Sequence, residues 1–272
     1  MRSGLRKSLR QVLFRLKSRT LYQDAELEMR ALEGRGDGAM IVFTSYHNNV
    51  AKRGLLEFAA SASQQGLRHC LFITDRTQGW FQGEKKSATI IRVVADYLTR
   101  NRIAKTMTVG VSMGGYGALS YARDLGAGRA LAFAPQYCPR PDRFPSDQRW
   151  LAARRRIAHF SRPSLDSSMR GGPQFTLLHG RRNREDMLHW QSFSQGSHID
   201  HYLADIETHD VIDPLRNAGI LYPVIDSVWN DDTQTTNTLL KKIHAVRRLP
   251  QETASAATTE QPGPSAPRPC HH

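Results

Sequence analysis

Short apolar runs alternate along this chain with longer stretches of helical period, and that alternation is its strongest structural signal. Ala39–Thr44, Cys70–Thr74, Met107–Val111, Arg129–Ala134 and Gln174–Leu178 are each five or six residues rich in Val, Ile, Leu, Phe and Ala, the pattern of strands buried on both faces. Between them, Arg53–Gln65, Ala88–Arg100, Gly114–Leu125 and Val211–Ala218 repeat apolar positions at helical spacing. Ala25–Ala31 alternates apolar with charged residues and reads as a half-buried edge strand, closed by a turn at Gly34, Gly36, Asp37 and Gly38. Strands alternating with helices of this size predict an α/β fold in three layers, a mostly parallel central sheet covered on both faces.

The ends follow a different pattern. Residues 1–20 hold seven basic side chains and no acid, with Leu5, Leu9, Val12, Leu13 and Leu16 at helical spacing, which predicts a basic amphipathic helix. Three readings of it stand side by side: a peripheral membrane anchor, an organelle transit peptide, or a helix docked on the domain. No uninterrupted apolar stretch follows the basic start as a secretory signal requires, so a cytoplasmic chain, at most peripheral to the inner membrane surface through residues 1–20, is the expectation. Residues 251–272 are rich in Thr, Ser, Ala, Pro and Gln and read as a disordered tail. That leaves residues 21–250 as the domain.

Composition narrows the classes. The 272 residues are 39% hydrophobic, 8% aromatic and 23% charged, within the globular range and unlike a wholly disordered or coiled-coil chain. No run approaches the length of a membrane-spanning helix. Cys70, Cys138 and Cys270 lack paired spacing for metal or redox work and read as reduced bystander thiols. The formal charge of +13 raises nucleic acid as a partner, yet no zinc, helix-turn-helix or RNA-binding motif accompanies it, and its distribution is local. Besides the N-terminal segment, Pro139–Arg170 carries eight Arg against three Asp.

Chemistry enters at Gly110-Val111-Ser112-Met113-Gly114. This G-x-S-x-G lies where a strand runs straight into a helix, the context in which a serine stands exposed on a strained turn. Ser112 is then the candidate nucleophile, with the backbone N–H of Met113 aimed at a developing oxyanion. At these residues the chain resembles the α/β-hydrolase superfamily over about residues 25–230. Phe72-Ile73-Thr74-Asp75-Arg76 with Trp80, Gly110–Leu119 and Ala132-Phe133-Ala134-Pro135-Gln136-Tyr137 are also similar to bacterial hydrolase-like proteins associated with surface polysaccharides.

The resemblance implies an acid after a late strand, then a histidine, and a second oxyanion donor after the strand two before the elbow. Ser45 or Tyr46, after Ala39–Thr44, supplies that donor. His209, in the turn-like Glu207-Thr208-His209-Asp210, suits the base better than His201, which falls inside a strand. Asp186 is the preferred acid and Glu185 the alternative, while Asp75 reads as a turn or supporting residue. Residues 139–170 lie where the superfamily inserts its cap, and Arg154, Arg155 and Arg156 on a helical stretch there are candidates for binding an anionic or glycan ester, together with Gln136 and Trp80. The implied activity is a serine hydrolase or acyltransferase acting on an ester through an acyl-enzyme, with no metal or organic cofactor. The rival expectation is a catalytically silent hydrolase fold that binds or assembles partners in polysaccharide or glycoprotein export.

Overall fold

The computed structural model describes residues 11–49 and 53–249. The expected disordered tail at 251–272 and the first half of the basic segment lie outside the described residues. Among the described residues nine strands form a single sheet: β1 (Arg19–Gln23), β2 (Leu27–Leu32), β3 (Gly38–Phe43), β4 (His69–Asp75), β5 (Lys105–Val111), β6 (Arg129–Phe133), β7 (Gln174–Gly180), β8 (Ile199–Ala204) and β9 (Val246–Arg247). Their spatial order is β1-β2-β4-β3-β5-β6-β7-β8-β9. The six strands from β4 to β8 in that order are mutually parallel, and β1, β2 and β9 pair antiparallel at the margins.

Helices cover both faces, as a sheet buried on both sides requires. Along β3, Ala39, Ile41 and Phe43 join one apolar cluster and Met40 and Val42 the other. The first cluster is closed by α2 (Glu84–Arg100), which lays Ile90, Val93, Val94 and Tyr97 on the sheet, by α3 (Met113–Tyr121), and by the segment between β6 and β7. The second is closed by α1 (Ala59–Ser63), α6 (Ile212–Asn217), α7 (Leu221–Trp229) and α8 (Thr233–Lys241). Two further short helices are α4 (Leu151–Arg155) and α5 (Arg184–Trp190).

Two expectations change. The edge strand is β1, whose residues are exposed or half-buried, whereas β2 lies one position inside it and is almost wholly buried. Arg53–Gln65 is helical only over Ala59–Ser63 and a following single turn, because Gly54, Phe58, Gln64 and Gln65 all take positive φ and break the period. Residues 139–170 are turns, bends and irregular backbone around α4, which carries Arg154 and Arg155 as the helical reading expects. Cys70 and Cys138 are buried and unpaired, and burial pushes both thiols above their ordinary range. No helix among the described residues is long and apolar enough to cross a membrane.

Candidate active site

The strand-to-helix turn at Ser112 is sterically compelled. β5 ends at Val111, α3 begins at Met113, and Ser112 between them has φ 53° and ψ −119°, which is strained for a residue with a side chain. The turn closes because two neighbours have no Cβ. A Cβ on Gly110 would fall 2.2 Å from Gly114 C, and one on Gly114 would fall 2.2 Å from Phe43 O. Ser112 N–H donates to Phe133 O at 2.8 Å, and its carbonyl accepts from Tyr116 N–H at 2.9 Å, so both backbone groups are anchored. The side chain is nearly enclosed, at 5% exposure, and its Oγ accepts a hydrogen bond from Gln136 Nε2 at 3.2 Å. Trp80 holds that amide by donating from Nε1 to Gln136 Oε1 at 3.1 Å.

The candidate base and acid follow the two strands beyond. α5 starts after β7, and its N-cap Asn183 accepts from Asp186 N–H at 2.8 Å, which fixes the carboxylate in the first turn. Asp186 is buried, and its Oδ1 and Oδ2 accept from His209 Nδ1 at 2.7 and 3.0 Å. His209 follows β8 on the loop before α6. With Nδ1–H committed to the carboxylate, the lone pair lies on Nε2, which is buried and has no hydrogen-bond partner among the described residues. Glu185 is half-buried and does not bond to the imidazole.

A third charge completes this corner. Arg149, just before α4, donates from Nη1 to Asp186 Oδ1 at 2.6 Å. Its Nη1 also stands 3.0 Å from His209 Nδ1, and because both nitrogens point hydrogens at Oδ1, the two share an acceptor rather than bond to each other. The same guanidinium reaches Asp147 Oδ1 through Nε at 3.0 Å and Oδ2 through Nη2 at 3.1 Å. Asp147 Oδ2 further accepts from His189 Nε2 at 2.9 Å, and Tyr137 N–H donates to His189 Nδ1 at 3.2 Å. Burial alone would raise the Asp186 carboxyl, but the hydrogen bond and charge of His209 and the charge of Arg149 outweigh it and hold the group below the ordinary carboxylate range. Asp147 behaves alike: burial is overcome by His189 and Arg149.

Aromatic rings roof the corner. Trp150, at φ 52°, tilts over His209 with ring centroids 5.3 Å apart. It also meets Tyr46 at 5.6 Å and Trp80 at 6.1 Å.

Several expected binding roles shift. Arg154 is 1% exposed and donates to the Asp147 backbone carbonyl inside the cap, so it supports Asp147 instead of lining the surface, while Arg155 and Arg156 are exposed. Trp80 is fully enclosed and acts on Gln136. Ser45 N–H is committed to Glu57 Oε1 at 3.0 Å and its hydroxyl to Glu57 Oε2 at 2.7 Å, so Ser45 offers no free donor. Tyr46 N–H and Met113 N–H have no hydrogen-bond acceptor among the described residues. Asp75 is a turn organiser: it accepts from Thr77, Gly79 and Phe81 N–H and from Lys86 Nζ. His201 is buried in β8 and bonded to His179 at 2.9 Å. Asp147, Arg149, Trp150 and His189 were not singled out from the sequence; the pairing of a basic and an acidic side chain two residues apart, Asp147 and Arg149, was the available signal.

No protein-family model matches the chain, and no curated protein sequence matches it. Solved structures do. The chain is similar to the glycosylation-associated Gap123 complex of Streptococcus agalactiae, with a TM-score of 0.57 and 15% identity over 79% of this chain and 47% of that one. It therefore spans about half of that protein's length. A Pyrococcus furiosus esterase gives 0.54 at 12% identity, over 79% of this chain and 91% of the other. The capsule O-acetyltransferase of Neisseria meningitidis serogroup A gives 0.52 at 12%, over 77% and 93%. The fold is that of the α/β hydrolases. Within that class its neighbours include esterases, an acetyltransferase and a glycosylation-associated protein.

Proposed function

We propose that the chain is a serine-dependent acyl hydrolase or acyltransferase that works on an ester, with Ser112 as nucleophile, His209 as base and Asp186 as the orienting acid. The observation that carries this reading is His209: its Nδ1 is held by a buried carboxylate, and its Nε2 is enclosed with no hydrogen-bond partner among the described residues. An imidazole held in that tautomer can take the proton of a serine hydroxyl and return it to the leaving group. Ser112 Oγ would attack the acyl carbon while the tetrahedral oxyanion takes hydrogen bonds from Met113 and Tyr46 N–H. Collapse expels the alcohol and leaves an acyl-enzyme, which water or a second hydroxyl then resolves. Arg149 holds Asp186 ionised and oriented. The exposed Arg155 and Arg156 suit an anionic or glycan ester approaching over the cap. Turnover of O-acetylated sugars and of short- and long-chain esters, compared with Ser112→Ala, tests the reading; a panel that the wild type leaves untouched would count against it.

A second reading rests on a specific contact: Ser112 Oγ is bonded to Gln136, and no hydrogen bond joins it to His209 among the described residues. A silent fold that serves as a binding or assembly factor for glycosylation or polysaccharide export would keep such an arrangement, and similarity to a protein of the Gap123 complex accords with it. Catalytic hydrogen bonds often tighten only with substrate in place, which is why the catalytic reading is preferred.

A further inference from the structure

Residues 11–17 are helical and are docked on the domain by one face only. Gln11 donates to Leu56 O at 3.3 Å and accepts from Leu56 N at 3.1 Å. Phe14 packs against the second apolar cluster. Arg15 binds Gly54 O at 2.9 Å and Glu28 Oε1 at 2.8 Å, and the Ser18 hydroxyl closes the end of the helix on Arg15 O. At about 100° per residue these positions share one side. The opposite side presents Val12, Leu13 and Leu16, which are 54%, 48% and 77% exposed. Three large aliphatic side chains together on a docked helix stand against the usual scatter of surface apolar residues.

Charge says what covers them. The first 20 residues carry seven basic groups and no acid. Lys17 borders the apolar face and makes no ion pair among the described residues, and Arg53 lies exposed nearby on the loop that the helix grips. An aliphatic face bordered by Lys17, with the exposed Arg53 on the adjoining loop, matches the boundary between acyl chains and anionic headgroups, and a neutral apolar protein groove would leave those cations unused. The helix also has a fixed place in the fold. Its partners are the loop after β3 and Glu28, which pairs with Thr74 near the end of β4, so it sits at the carboxyl end of the parallel strands, as Ser112 does.

We propose that residues 11–17 dock this chain on an anionic lipid bilayer, with Val12, Leu13 and Leu16 at the interface and the Ser112 end of the sheet turned toward the headgroups. The surface stands whether or not Ser112 is catalytic, and it would select esters presented at a membrane if it is.

Co-sedimentation of the full chain with vesicles of phosphatidylcholine, alone or with 30% phosphatidylglycerol, tests the proposal. The expected result is binding to the anionic vesicles, weak binding to neutral ones, loss at high salt, and a loss of about tenfold or more in Leu13→Asp/Leu16→Asp. Leu13→Ser/Leu16→Ser should show the same direction, with circular dichroism verifying the fold of both variants. Ser112→Ala should bind as the wild type does, which separates this surface from the catalytic reading. No binding to anionic vesicles, or equal binding by both double variants, would overturn it. So would a concentration-dependent dimer abolished by the same substitutions without vesicle binding, which would assign the face to a second copy.

Discussion

Arg149 Nη1 and Asp186 Oδ1 are joined by a 2.6 Å charge-assisted hydrogen bond that crosses 37 residues of chain. It ties the segment between β6 and β7 to the carboxylate that orients His209. Through its Nε and Nη2 the same guanidinium spans to the buried Asp147, so one cation bridges two carboxylates taken out of water. Removing it leaves each carboxylate with its histidine, His209 on Asp186 and His189 on Asp147, and takes away the guanidinium charge between them, which is destabilising for buried carboxylates.

Arg149→Gln is therefore expected to lower kcat by about 10²-fold, the scale of an angstrom-level misplacement of a catalytic group, with KM changed less. Arg149→Lys keeps the charge but not the fork that reaches Asp147 and Asp186 together, and should recover only part of the loss. Ester turnover and denaturant midpoints of the three proteins check both effects. Equal kcat in wild type and Arg149→Gln would show that the link is structural only.

Asp186→Asn keeps the size of the side chain but no longer holds hydrogen on Nδ1. The lone pair then moves from Nε2, and the rate should fall by about 10⁴-fold. Glu185→Gln, whose carboxyl does not touch the imidazole, should leave kcat within about twofold, a change on the scale of an ordinary surface substitution. A reversal of these two results would transfer the role to Glu185.

Gly114→Ala puts a methyl 2.2 Å from the Phe43 carbonyl oxygen, and Gly110→Ala puts one against Gly114. Each sets a Cβ, fixed by its own backbone, against another backbone atom, so neither can relax by a side-chain rotation. Each should cost about 3 kcal/mol or more, read as a lower denaturation midpoint or loss of soluble protein.

Acid should unfold the domain through buried histidines. His179 donates from Nε2 to Pro135 O at 3.0 Å, so its Nδ1 accepts from His201 Nε2–H, and both rings are neutral. Burial pulls His179 down to about 4, and burial, with repulsion from Arg248 and from His179 once that ring is protonated, pulls His201 well below its ordinary value. Their folded values lie under the unfolded value of about 6.5, so the unfolded chain binds more protons as pH falls. The stability these rings contribute is present above pH 6.5 and is lost toward pH 4, on the order of 3 kcal/mol for His179 alone. Denaturant midpoints measured from pH 7 to pH 4.5 should fall, and His201→Leu should flatten the slope. An unchanged slope in that variant would place the acid sensitivity elsewhere.

The interior of the fold was legible in the sequence because burial on both faces forces apolar runs: β3, β4, β5, β6 and β7 all coincide with them. β1 was not, because Arg19–Gln23 is exposed or half-buried and its polar residues carry no strand period. The tight turn at Ser112 was legible because the elbow's glycines are a steric requirement, and chain order led to Asp186 and His209, which the fold brings into contact. Arg149 was not, since the partner that defines it is 37 residues away and reached through space. Arg154 misled for a related reason: composition marks a guanidinium as exposed, and here it is turned inward onto Asp147 O.

The most direct test of a catalytic Ser112 is reaction of the folded chain with a fluorophosphonate probe, followed by mapping of the modified residue. The account predicts a stable adduct on Ser112, absent in Ser112→Ala and formed much more slowly in His209→Ala. A correctly folded protein that stays unlabelled at Ser112 would contradict it and leave the silent binding fold as the better description.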